Sequence, residues 1–170
     1  MNLFKKTSLF AGIFITLLSL FACTPKEVAT NEGAAIAEFD LPAGYTYDFD
    51  TSVLGYTVEA YKGQNGPSHL YLIQSEKPSD RDELAKMLSQ LAPSSSYQDT
   101  RLTVIENRTA AVRGQEATLV TSEGVNSENV RYRQITVAFE GNGGPAMLVF
   151  SESVNAWDQE AVDAFLESIH

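Results

Sequence analysis

Few side chains in this 170-residue sequence have the types and spacing that chemistry demands. Cys23 is the only cysteine. A lone thiol forms no internal disulfide and builds no thiolate metal cluster. The two histidines are His69 and His170. His69 opens an extended stretch with Tyr71 and Ile73 on the same face, where a packed or rim imidazole is the plain reading. No second histidine is spaced to complete a metal site or a triad. Asp48 and Asp50 stand at i and i+2 of another extended stretch and so share one strand face. Such a pair can begin a calcium site or an acid–base pair, although a solvated face is the simpler expectation in an acidic chain. Gly141-Asn142-Gly143-Gly144 is glycine-rich, but it lies between two strand-like runs. A phosphate cradle needs a helix start after the glycines, so a hairpin turn is expected. No serine sits in a Gly-x-Ser-x-Gly elbow.

The arginines are more informative. Arg101, Arg108, Arg113, Arg131 and Arg133 fall within 33 positions. Arg131 and Arg133 project from one strand face, and with Arg113 they form the candidate interaction patch. After Arg133 no lysine or arginine occurs, while Glu140, Glu152, Asp158, Glu160, Asp163 and Glu167 follow. Clustered guanidiniums recognise carboxylates or phosphates; ordinary cross-strand pairing with glutamates is the competing reading. The formal charge of −10 disfavours nucleic acid and anionic lipid as partners. No catalytic residue, metal ligand or cofactor-binding residue is expected.

Positioning these groups falls to a strand-rich chain. Tyr45, Tyr47 and Phe49 alternate with Thr46, Asp48 and Asp50, giving one aromatic and one polar face. A short strand closed by Pro42-Ala43-Gly44 precedes them. Gly55–Tyr61 and His69–Gln74 read as strands joined by the Gly63–Pro67 loop. The period then becomes helical. Leu84, Met87, Leu88 and Leu91 form one stripe, behind Ser79 as cap and the first-turn acids Asp80, Asp82 and Glu83. Pro93 and Ser94–Ser96 end that helix. Strands resume over Leu102–Glu106, Thr109–Val112, Gln115–Ser122, Arg131–Glu140 and Ala146–Ser151. A final helix is expected from Trp157 to Ile169, with Asn155 as cap, Asp158 in the capping-box position and Val162, Phe165, Leu166 and Ile169 as its buried stripe. Short loops between consecutive strands imply an antiparallel sheet flanked by two amphipathic helices, an α+β domain over residues 38–170.

The N-terminus carries an address. Lys5 and Lys6 precede the thirteen-residue apolar stretch Leu9–Phe21. A bilayer core needs about 20 residues of helix, so this length fits a signal-peptide core instead. Leu20-Phe21-Ala22-Cys23 resembles the lipobox of bacterial lipoproteins, with Phe21 bulkier than is usual there. The resemblance implies that signal residues 1–22 are removed and that Cys23 takes a diacylglyceryl thioether. Its new amine is then open to a further acyl chain such as palmitate. Two or three chains anchor firmly where one is marginal. Thr24 rather than aspartate follows, which leaves outer-membrane sorting open beside the cell membrane. Residues 23–37 read as lipidated cysteine and flexible tether, the last fourteen reaching at most about 45–50 Å when extended. Without the signal, ten basic side chains face 22 acidic ones, a charge of −12.

Phe39-Asp40-Leu41-Pro42-Ala43-Gly44 and Phe165-Leu166-Glu167-Ser168-Ile169 resemble the opening and the terminal helix of PsbP-like domains, and the element order between them agrees. That resemblance implies a helix–sheet–helix sandwich and a non-enzymatic family. The expected role is a lipid-anchored module of the cell envelope that binds or assembles with an envelope protein partner on the extracytoplasmic side. A small-molecule carrier, with a pocket between sheet and helix lined by Tyr45, Tyr47, Phe49, Trp157 and Phe165, is the first alternative. An envelope hydrolase using Asp48, Asp50 or His69 is the second.

Overall fold

A computed structural model describes residues 35–64, 67–92 and 102–170. The signal segment, Cys23, most of the tether, Ser94–Ser96 and Arg101 lie outside the described residues. The elements are β1 (Thr46–Val53), β2 (Tyr56–Lys62), β3 (His69–Ser75), α1 (Arg81–Leu91), β4 (Thr103–Val112), β5 (Gln115–Val125), β6 (Arg131–Glu140), β7 (Pro145–Ser153) and α2 (Gln159–Glu167). The strands form one seven-stranded antiparallel sheet in the order β1-β2-β3-β7-β6-β5-β4.

Alternation decides which side chain meets which helix. Val58 and Ala60 of β2, Tyr71 and Ile73 of β3, and Met147 and Val149 of β7 pack with Leu84 and Leu88 of α1. Their neighbours Tyr61, Leu70, Leu72, Leu148 and Phe150 pack instead with Val162, Phe165 and Leu166 of α2, together with Leu119, Ile135 and Val137 of β5 and β6. Central β7 is covered on both sides, so Ala146-Met147-Leu148-Val149-Phe150 is an unbroken apolar run rather than an alternating one. Each Leu, Ile or Phe fully removed from water contributes about 1.5–3 kcal/mol.

Several local features depart from the sequence expectations. Asp80, not Ser79, caps α1, its carboxylate accepting from Glu83 N at 2.9 Å. The Ser79 hydroxyl is bonded to Ser75 Oγ at 3.1 Å. Asp158, not Asn155, caps α2, accepting from Glu160 N and Ala161 N at 3.0 and 3.2 Å. Asn155 lies earlier, in a turn closed by Ala156 N donating to Ser153 O. The helix is accordingly shorter than Trp157–Ile169. The two strands expected from Leu102 to Val112 are one strand, β4, with an irregularity between Val104 and Glu106. Phe39–Gly44 forms a single bridge at Asp40 followed by a turn.

The chain joins the sheet at the β6–β7 hairpin. Ile36 and Ala37, at the end of the stretch read as tether, are fully buried, so the folded domain takes them in. Ile36 O accepts from Asn142 N at 2.8 Å, and Ile36 N donates to Glu59 Oε1 at 3.1 Å. Glu38 and His170 exchange backbone bonds of 3.2 and 2.9 Å. In the hairpin, Gly143 N donates to Gln74 Oε1 at 2.7 Å, and a Cβ on Gly141 or Gly143 would collide with the Gln74 side chain. These glycines serve a close approach, as a hairpin turn requires.

Candidate functional site

The β5–β6 ladder brings together two of the three arginines singled out in sequence. Its register sets Glu123 opposite Arg133 and Val125 opposite Arg131. Arg131 and Arg133, two residues apart, therefore flank the same carboxylate. Arg133 donates to Glu123 Oε1 from both Nε (3.0 Å) and Nη2 (2.6 Å), and Arg131 donates to Oε2 from Nη2 at 2.8 Å. Both carboxylate oxygens are thus occupied. Arg133 first, and Arg131 after it, hold the Glu123 carboxyl below the usual carboxylate range. On its other side the Arg133 guanidinium lies 5.2 Å above the Trp157 ring. Trp157 is fixed by edge contact with Phe150, centroids 6.0 Å apart, and by Nε1 donating to Gln159 Oε1 at 3.2 Å. The Arg131 side chain is 68% exposed against 28% for Arg133, so Arg131 is the one that presents charge to solvent. Val125 and Val130 are exposed beside it. Asn126 Oδ1 accepts from Glu128 N and Val130 N and fixes the intervening turn.

Arg113 is not part of this group. It occupies the β4–β5 turn with φ of 52°, and its guanidinium donates to Glu140 O and Asn142 Oδ1, each at 3.0 Å. Glu140 and Arg131 end the same strand, which at about 3.4 Å per residue separates them by about 30 Å. Arg108 is engaged with Asp163 of α2.

Asp48 and Asp50 do not share a face, because the register shifts between Tyr47 and Phe49. Such an inserted residue reverses the side-chain alternation beyond it. Asp48 pairs with Lys62 Nζ at 2.8 Å, while Asp50 accepts from the Tyr47 hydroxyl, which raises that phenol's pKa. The same shift breaks the expected aromatic face: Tyr45 stacks on Phe150, Tyr47 meets Tyr61, and Phe49 packs on the α1 side. His69 stacks on Tyr71 with centroids 5.7 Å apart, and burial lowers its pKa against the pull of Asp48 and Glu152. His170 approaches Glu38 at 3.7 Å.

Two further carboxylates are drawn into the fold: Glu59, which the sequence reading passed over, and Glu152, which it counted only among the acids after Arg133. Glu59, 5% exposed, accepts from Ile36 N and from Tyr61 Oη at 3.2 Å; burial raises its pKa. Glu152 accepts from Ser68 Oγ and from Tyr45 Oη at 3.2 Å, and burial pushes the Tyr45 phenol up. Both are satisfied by neighbours, and no described buried side-chain polar atom lacks a partner. Tyr45, Phe150, Trp157 and Phe165 fill the space between β7 and α2 with ring-on-ring contacts. Open space lies elsewhere. Clefts of about 380 and 530 Å3 adjoin the start of α1, sharing Asp80, Arg81, Glu116, Ala117 and Ala138. Among the described residues no group of three or more His, Cys, Asp or Glu is arranged to hold a metal, and no helix is long and apolar enough to cross a membrane.

Seven antiparallel strands with two helices define an α+β domain with a PsbP-like fold. The fold is similar to that of cyanobacterial PsbP (CyanoP) from Synechocystis sp. PCC 6803, with a TM-score of 0.53 and 18% identity over 82% of this chain and 95% of that one. No protein-family model matches the chain, and no curated protein does.

Proposed function

We propose that the chain is a lipid-anchored protein of the cell envelope, held through Cys23 at the cell membrane or outer membrane, whose extracytoplasmic domain is a non-catalytic binding or assembly module. The observation that carries the binding role is the Arg131–Glu123–Arg133–Trp157 group, whose Arg131 is exposed. Arginine and tryptophan dominate the energetics of protein interfaces, and here both are held in place before any partner arrives. The anchor rests on the Leu20-Phe21-Ala22-Cys23 motif.

Two experiments test this reading. Fatty-acid labelling of the producing cells should mark the chain and fail with Cys23→Ser; normal labelling of that variant sinks the anchor. A photo-crosslinking residue at Val125 should capture a discrete envelope protein in vivo, whereas one at Ser52 on β1 should not. Equal or absent crosslinking at both sites removes the binding role.

The clefts beside α1 favour a second reading, a small-molecule carrier, since their volumes suit a small ligand. A ligand found by thermal shift should then lose affinity in Ala138→Trp, which fills the cleft; an unchanged shift rejects this reading.

A further inference from the structure

We infer that the Arg131–Arg133–Trp157 surface docks a protein segment in which a carboxylate adjoins an apolar or aromatic side chain, at the end of the domain opposite the β6–β7 hairpin. The inference rests on the binding-module reading and deepens it.

The chemistry of the surface selects the partner. Arg133 is spent on Glu123 and Trp157. The Arg131 guanidinium gives one nitrogen to Glu123 and carries five N–H donors, and its side chain is 68% exposed. Its remaining donors suit a planar anion. Glu152 stands opposite Arg133 in the β6–β7 register and is taken up by Ser68, Tyr45 and its neighbour Ser153 N. Val125, Val130 and the partly buried Trp157 ring give an apolar border. A carboxylate with an apolar neighbour satisfies both halves at once.

The surface lies away from the point where the chain enters the domain. The described chain begins at Ala35, and the next residue, Ile36, is bonded to Asn142 in the β6–β7 hairpin. Arg131 begins β6 and Glu140 ends it beside that hairpin, so the docking surface and the tether lie at opposite ends of one strand. The chain therefore enters the domain at one end of β6, and the arginines stand at the other.

Trp157 is the sole tryptophan, so its fluorescence reports on this surface alone. The full chain in neutral detergent micelles is titrated with a synthetic peptide alternating Glu with Leu or Phe, with its Gln counterpart, and with vesicles containing phosphatidylglycerol. The Glu peptide is expected to shift Trp157 emission. The Gln peptide and the Arg131→Glu variant should each bind roughly tenfold more weakly, and Arg113→Glu at the opposite end should bind as the unmodified chain does. Circular dichroism confirms that the variants remain folded. A Trp157 response to the vesicles but not the peptide assigns the surface to lipid and overturns the inference. No response to either, or full binding by Arg131→Glu, also overturns it. Fatty-acid labelling of Cys23→Ser fails or succeeds independently, so loss of the anchor reading is distinguishable from loss of the docking surface.

Discussion

Replacing Glu123 by Gln removes the charge that holds Arg131 and Arg133 side by side while keeping the size of the side chain. The Arg131 pair is largely exposed and is worth only a few tenths of a kcal/mol. The Arg133 pair is more shielded and uses two N–H donors, so together the pairs contribute about 1–2 kcal/mol at low salt. In a domain of this size that lowers Tm by about 3–6 °C. The pH dependence follows from the depressed folded pKa of Glu123. Its stabilisation is fully present above the unfolded carboxylate value of about 4.3 and is lost as pH falls through the lower folded value. Urea unfolding of the two proteins, followed by far-ultraviolet circular dichroism from neutral to acid pH, should therefore show a gap that closes in acid. Added salt should narrow it at neutral pH. A gap of constant size across pH, or none at neutral pH, would refute an ionic origin.

Glu59 shows the opposite sign, since burial raises its folded pKa. Stability is lost as pH rises from the unfolded value through the raised folded one, so Glu59→Gln should match or exceed the unmodified chain at neutral pH and lose that advantage in acid, as read by Tm against pH. Leu148→Ala, at a fully buried position of central β7, should cost about 2–5 kcal/mol in denaturant unfolding. Asp158→Ala should cost about 1 kcal/mol through loss of the α2 cap, and Asp158→Asn should recover most of it in the same measurement.

Much of the fold could be read from periodicity. Leu84 and Leu88, and Val162, Phe165 and Leu166, fall on the buried sides of α1 and α2 because a 3.6-residue repeat leaves little choice. Arg131 and Arg133 were placed together because alternation along a strand is strict. Inserted residues were not legible. The shifts at Tyr47/Phe49 and Val104/Glu106 have no compositional mark, yet the first sends Asp48 and Asp50 to different surroundings and divides Tyr47 from Phe49. The caps were missed by one residue or three because the backbone at Asp80 and Asp158, not residue type alone, decides which oxygen reaches the first amides. Glu123 was within reach, since counting the Asn126–Val130 turn sets it opposite Arg133. The Arg133–Trp157 contact was not, because it depends on the path from β7 into α2.

The joint at the β6–β7 hairpin also fixes how the domain bears tension. A pull between Ile36 and Arg131 runs lengthwise along β6, and the ladder bonds to β5 and β7 lie across that line. They resist in shear and share the load. A pull between Ile36 and His170 instead loads the chain ends, where Glu38 and His170 exchange two backbone bonds and Asp40 N donates to Ser168 Oγ. The sheet is therefore loaded in its strongest direction by any force applied between the hairpin joint and the arginine end.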